Sequence, residues 1–191
     1  MPAMSESSDA EACVLVIFGA SGDLTARKLV PALYEMHQRG LLPSGLKVLG
    51  VSRTPFTDDE FRERTREGAR EHAHGFGAQA WEQFARCIHY HSADAAAEGS
   101  MSGIHARVRE LAVESGITRQ GNGPNALFYL SVSPTLYEPI INASGAYGWV
   151  AEGKRWCSLH PERTAWQRII IEKPFGHDVD SAVSLNRTLG R

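Results

Sequence analysis

The sequence predicts an α/β fold: a doubly wound, mainly parallel sheet with helices on both faces. Three observations predict it. Short unbroken apolar runs rich in Val, Ile and Phe recur along the chain, as a strand covered on both faces requires. Stretches with apolar residues at helical intervals separate those runs, the alternation that builds parallel sheets from βαβ units. The first run also ends in a glycine-rich turn that enters a helix directly. Composition agrees, because 191 residues with 42% hydrophobic and 22% charged side chains are ordinary globular usage and suit one domain.

Residues 1–12 are rich in Ser, Glu, Asp and Ala and bury too little apolar surface to offset ordering, so they read as a disordered tail before a domain at 13–191. The run Cys13-Val14-Leu15-Val16-Ile17-Phe18, closed by Gly19, is the first strand. Residues 24–39 place Leu29, Leu33 and Met36 at helical intervals before a stop at Gly40, and Pro31 implies a kink or a helix starting afresh. A second strand spans 47–51, and Thr57-Asp58-Asp59-Glu60 after it is a capping box with acids at the positive helix end. Further strands are expected at 88–91, 126–130 and 168–172, with helices at 102–115, 135–143 and 178–189. Residues 145–166 carry three of the four tryptophans and break the alternation. They read either as an excursion that packs on a partner surface or as a self-packed loop.

Several function classes are disfavoured. Lys and Arg total 20 against 22 Asp and Glu, and that near-balance argues against a dedicated binder of nucleic acid or anionic membrane. No apolar run approaches the roughly 20 residues of a membrane-spanning helix, and the start lacks the basic-then-apolar order of a signal peptide, which makes the cytoplasm the expected location. Cys13, Cys87 and Cys157 are odd in number and lack C-x-x-C spacing, so they read as buried or idle thiols rather than disulfide partners or zinc ligands. The pairs His72/His74 and His89/His91 have no third ligand nearby in sequence, and no metal site is expected.

The sharpest chemical feature is Gly19-Ala20-Ser21-Gly22-Asp23-Leu24 between an apolar strand and a helix. A Rossmann-type dinucleotide site needs that junction, because a side-chain-free turn lets backbone N–H groups and the helix N-terminus approach a pyrophosphate. The two glycines stand three apart rather than in a G-x-G-x-x-G pattern, and a plain glycine-rich turn is the alternative. At the tip of the second strand, where an NAD site would carry an acid for the ribose 2′-hydroxyl, the chain reads Ser52-Arg53-Thr54. A guanidinium there suits a 2′-phosphate, which points to NADP; a solvated surface charge is the alternative. Arg27 and Lys28 either screen phosphates or form an exposed basic turn. Lys173 at the end of the last strand faces the expected ligand crevice or simply ends the strand, and the following Pro174 fixes the backbone there. Pro134 opens a helix, with Tyr137 about one turn in.

Three phrases in order, GASGDLTARKLVPALY at 19–34, NALFYLSVSPTLYEPI at 125–140 and RIIIEKPFG at 168–176, resemble the amino-terminal domain of the glucose-6-phosphate dehydrogenase family. The resemblance implies oxidation of D-glucose 6-phosphate to 6-phospho-D-glucono-1,5-lactone with reduction of NADP, in a full-length enzyme that is a homo-oligomer. It implies that the turn from Gly19 through Thr25 holds the coenzyme pyrophosphate, that Arg53 holds the 2′-phosphate and that Tyr137 lies along the coenzyme. Lys173 would bridge substrate and nicotinamide beside a cis Pro174. The family's general base belongs to a segment reading like RIDHYLGKE followed by a β+α domain; neither occurs in these 191 residues, and His177 matches no catalytic position. The expectation is therefore NADP binding with negligible turnover by this chain alone. The spacing from Tyr137 to Lys173 exceeds the family's usual spacing. Two rivals remain: a nucleotide-sugar epimerase or reductase, against which stands the lack of a Tyr-x-x-x-Lys pair at Tyr34 and Tyr137, and a standalone NADP-binding or assembly module.

Overall fold

The structure, a computed structural model, describes residues 11–97, 99–117, 123–146 and 165–172. The expected helix at 178–189, most of the tryptophan-rich excursion, Cys157, Lys173 and Pro174 lie outside the described residues. Among the described residues, five strands, β1 (Val14–Phe18), β2 (Lys47–Ser52), β3 (Ile88–Ser92), β4 (Ala126–Leu130) and β5 (Gln167–Ile171), form one sheet in the order β3-β2-β1-β4-β5. Every adjacent pair is parallel. The chain runs outward from β1 to β3, then crosses back to lay β4 on the other side of β1, which is the doubly wound Rossmann-type arrangement.

All five residues of β1 are buried, so the unbroken apolar run does mark a strand covered on both faces. Val14, Val16 and Phe18 enter one core with Leu49, Phe128 and Leu130; Leu15 and Ile17 enter the other with Val48 and Ile88. The first core is closed by two helices: α4 (Ser100–Glu114) buries Met101, Ile104, Val108 and Leu111 at three- and four-residue spacing, and α5 (Tyr137–Ala146) adds Ile140 and Ile141. The second is closed by α1 (Val30–Gln38), α2 (Asp58–His72) and α3 (Ala78–Ala85). Among the described residues, no helix is long and apolar enough to cross a membrane.

The capping box forms both of its bonds, Glu60 N–H to Thr57 Oγ1 at 3.2 Å and Thr57 N–H to Glu60 Oε2 at 2.7 Å, and Asp58, Asp59 and Glu60 occupy the positive end of α2. The expected break near Pro31 is a change of helix type. Residues Thr25–Leu29 form a π-helical turn, closed by Val30 N–H to Thr25 O, and α1 begins at Val30. Proline lacks the N–H that would continue the earlier ladder, so the register is reset there. The expected helix at 135–143 is a 3₁₀ turn, Pro134–Leu136, followed by α5.

Helix α3 is absent from the sequence expectation. It has only eight residues, its N-cap Gly77 supplies no side-chain bond, and an isolated helix this short is marginal in water. Trp81, Phe84 and Ala85 hold it by burying against Tyr34, whose hydroxyl accepts the Gly77 N–H at 2.9 Å. Among the described residues the thiols of Cys13 and Cys87 form no disulfide, and burial pushes each up to about 11.

Candidate functional site

A parallel sheet gathers its loops at the carboxyl ends of the strands, and the reversal of strand order leaves room between them. A cavity of about 640 Å³ lies there, lined by Phe18, Gly19, Ser21 and Gly22 after β1, Val51 to Pro55 after β2, Ala93 to Ala96 after β3, and Ser131 to Ser133 with Leu136 and Ile140 after β4. Main-chain bonds lace the departing strands together: Gly19 N–H to Val51 O at 2.9 Å, Ser131 N–H to Phe18 O at 3.0 Å, and Ala93 N–H to Ser52 O at 2.9 Å.

Gly19 is the tightest point of this lacing. Its φ of +79° is left-handed, and a methyl group on it would lie 2.0 Å from the Ser131 carbonyl oxygen. Only glycine lets the loops after β1 and β4 close to this distance. Gly22 completes the turn through its N–H to Gly19 O at 2.9 Å, after which the first N–H groups of the following helix have no intrahelical acceptor.

Of the residues singled out from the sequence, Gly19, Ser21, Gly22 and Arg53 line this cavity together. Ala20 is buried in the core on the α1 and α2 side, and Thr25 is fully buried with its hydroxyl unpartnered among the described residues. Asp23 and Leu24, with Arg27 and Lys28, line a separate groove of about 510 Å³ that also includes Glu35 and His72. Tyr137 is 4% exposed and packs in the core with Phe128 and Ile140 rather than on the cavity wall. Burial, and then the nearby Glu172 carboxylate, raise its hydroxyl above the usual tyrosine range. Pro134 opens the 3₁₀ turn.

Arg53 is exposed at the cavity rim, and among the described residues its guanidinium has no hydrogen bond or ion pair. The backbone on either side of it is held firmly. Thr54 N–H donates to Ser52 Oγ at 3.3 Å, Ser52 Oγ is 2.6 Å from the Tyr90 hydroxyl, and Tyr90 donates to Thr54 O at 2.7 Å. Arg64 ties this turn to the glycine turn, donating to Ser21 O at 2.9 Å while its guanidinium lies 6.0 Å from the centre of the Phe56 ring. Tyr90 is itself fixed through its N–H to Asp58 Oδ1 at 2.7 Å, and Asp58 Oδ2 faces His89, Arg62 and Arg107 at 3.2, 3.6 and 3.5 Å. Sequence reasoning missed Tyr90, Arg64 and Asp58; the one signal on hand was Asp58 in the capping box, which says nothing of β3.

At the outer strands, the Tyr129 hydroxyl on β4 donates to the Glu172 carboxylate just after β5. Burial and that carboxylate push the Tyr129 hydroxyl up to about 12. His89 is buried with Nε2 unpartnered among the described residues, and burial holds its imidazole below the ordinary range.

Comparison with known proteins places this arrangement. The family model described as glucose-6-phosphate dehydrogenase, NAD binding domain, matches residues 16–191. A glucose-6-phosphate 1-dehydrogenase of Aggregatibacter actinomycetemcomitans is 37% identical over 182 residues, 95% of this chain and 34% of that protein. One of Chlamydia muridarum is 36% identical over 180 residues, 93% of this chain and 33% of that protein. Among solved structures, a glucose-6-phosphate dehydrogenase in complex with glucose 6-phosphate superposes with a TM-score of 0.75 at 27% identity, covering 94% of this chain and 34% of that one. Glucose-6-phosphate 1-dehydrogenase from Mycobacterium avium gives 0.71 at 28% identity, covering 93% and 33%. The chain thus spans about a third of the length of these relatives. With a glycine turn and a rim arginine meeting at the switch point of a 3-2-1-4-5 sheet, and a family model covering nearly all of it, the chain belongs to the glucose-6-phosphate dehydrogenase family as its NAD-binding domain.

Proposed function

We propose that this chain is the coenzyme-binding part of a glucose-6-phosphate dehydrogenase and that its coenzyme is NADP. The observation that carries the reading is Arg53: a guanidinium without a partner among the described residues, on the rim of the cavity beside the glycine turn, with no carboxylate at the tip of β2. The residues present fit a dinucleotide. Gly19 and Gly22 keep side chains out of the turn, so main-chain N–H groups at the start of the helix can face a diphosphate. Arg53 supplies the planar donor fork that a 2′-phosphate takes and a 2′-hydroxyl does not use. When bound, the nicotinamide accepts hydride. The role of this chain is to grip and orient the carrier; oxidation of the sugar phosphate would draw on residues beyond those lining the cavity. Tyr137 and Lys173 enter the proposal by resemblance alone.

The test is titration of the purified chain with NADP and NAD. Arg53→Ala is expected to weaken NADP roughly 10- to 100-fold, the equivalent of about 1.5–3 kcal/mol for a hydrogen bond to a charged group, while NAD binding stays within about twofold. Equal losses for both coenzymes would assign Arg53 elsewhere, and no binding of either would overturn the assignment of the cavity.

A further inference from the structure

We infer that Tyr90 determines coenzyme selectivity as a positioning residue, its hydroxyl locking the Ser52–Thr54 turn so that Arg53 stays on the cavity rim. This rests on the NADP reading above. The sequence places a tyrosine in the middle of β3, and the parallel register sets it directly beside Gly50 of β2. That glycine matters for packing: a methyl group on it would lie 2.6 Å from Phe61 Cζ, so its absence admits the Phe61 ring. Phe61 in turn lies against the Tyr90 ring with centroids 4.8 Å apart, and Phe56 packs from another side at 5.5 Å. Tyr90 is 6% exposed, with its ring held between aromatic neighbours and its hydroxyl delivered to the end of β2.

There the hydroxyl closes a ring of three hydrogen bonds around residue 53. Thr54 N–H donates to Ser52 Oγ, the Ser52 hydroxyl donates to Tyr90, and Tyr90 donates to Thr54 O. Each hydroxyl gives one proton and accepts one bond, so the cycle is satisfied. The Arg53–Thr54 peptide is held by its N–H in this ring and the Ser52–Arg53 peptide by Ala93 N–H to Ser52 O at 2.9 Å, while the arginine side chain has no tether of its own among the described residues. A long exposed side chain loses rotamer and backbone freedom when it clamps a phosphate, and a fixed backbone removes part of that loss beforehand. The benefit falls only on ligands that use Arg53.

The experiment measures binding of adenosine 2′,5′-bisphosphate and of adenosine 5′-monophosphate to the full chain by calorimetry. The two probes differ in the group Arg53 recognises. Wild type is expected to prefer the bisphosphate. Tyr90→Phe keeps the ring and removes the hydroxyl; it is expected to weaken the bisphosphate roughly five- to tenfold while the monophosphate stays within about twofold. In the Arg53→Ala background the same change is expected to cost no further bisphosphate affinity, a coupling that a general loss of stability would not produce. Should Tyr90→Phe fail to fold, Ser52→Ala breaks the same ring at its half-buried end and is judged by the same ratio. A wild-type preference left undiminished by Tyr90→Phe, or equal losses for both probes, overturns the role of Tyr90 and leaves the NADP reading standing. A wild type with no preference for the bisphosphate overturns the NADP reading and the inference with it.

Discussion

Replacing Gly19 with Ala tests the central geometric claim, that the turn after β1 exists because two loops touch without a side chain between them. Two costs follow from the structure. The left-handed φ of +79° opposes any Cβ by about 1–2 kcal/mol. The added methyl group would also lie 2.0 Å from Ser131 O and 2.9 Å from Val132 Cγ1, so the loop after β4 must move by roughly 1 Å in a packed region. Overpacking of this kind costs about 1–3 kcal/mol. The movement pulls on the Ser131 N–H to Phe18 O bond, worth about 1 kcal/mol. Gly40 supplies the control: its φ is +68° but nothing lies within 4 Å of its added methyl, so Gly40→Ala isolates the backbone cost. The expected losses are roughly 3–6 kcal/mol for Gly19→Ala and about 1–2 kcal/mol for Gly40→Ala. Urea unfolding monitored by circular dichroism reads them as a drop in midpoint of about 1–3 M for Gly19→Ala and about 0.3–1 M for Gly40→Ala, given a slope of about 2–3 kcal/mol/M. Equal midpoints for the two variants would refute the reasoning, because the close approach would then carry no energy.

Two further outcomes are expected. Thr57→Ala removes the capping box at an exposed site where nothing can repack, and should lower stability by about 1 kcal/mol, seen as a melting shift of about 2–4 °C. Stability should also fall as the pH drops below 6.5. Burial holds His89 below its ordinary value of 6.5, as it does His91 and His105, so between the folded and unfolded values the unfolded chain binds more protons. Urea midpoints at pH 8 and pH 5.5 check the sign, and His89→Gln should flatten the difference; a higher midpoint at the lower pH contradicts it.

What the sequence by itself determined is what depends on neighbours within a few positions. The run from Cys13 to Phe18 is apolar at every residue and closed by Gly19, the pattern of a strand with both faces covered, and β1 is buried throughout. Thr57 and Glu60 lie one turn apart, close enough to bond each other whatever the rest of the chain does. Pro31 lacks an N–H in any fold, and the helix changes type beside it. A glycine turn at the end of a strand and an arginine at the tip of the next both point to the carboxyl edge of a parallel sheet, and Gly19, Ser21, Gly22 and Arg53 meet there.

Tertiary structure decided what depends on strand order. Helix α3 is too short to announce itself and exists because Trp81 and Phe84 find Tyr34. Tyr137 stands near the loop after β4, yet packing turns it into the core while its neighbours Leu136 and Ile140 reach the cavity. The clamp on Arg53 joins residues 52–54 to residue 90, and Arg64 reaches back to Ser21; such pairs have no period and no motif. They arise because β2 lies between β1 and β3, a placement set by how two cores share one sheet. Local pattern can name the strand a side chain sits on, but only the assembled sheet brings a hydroxyl on one strand to a carbonyl at the end of the next.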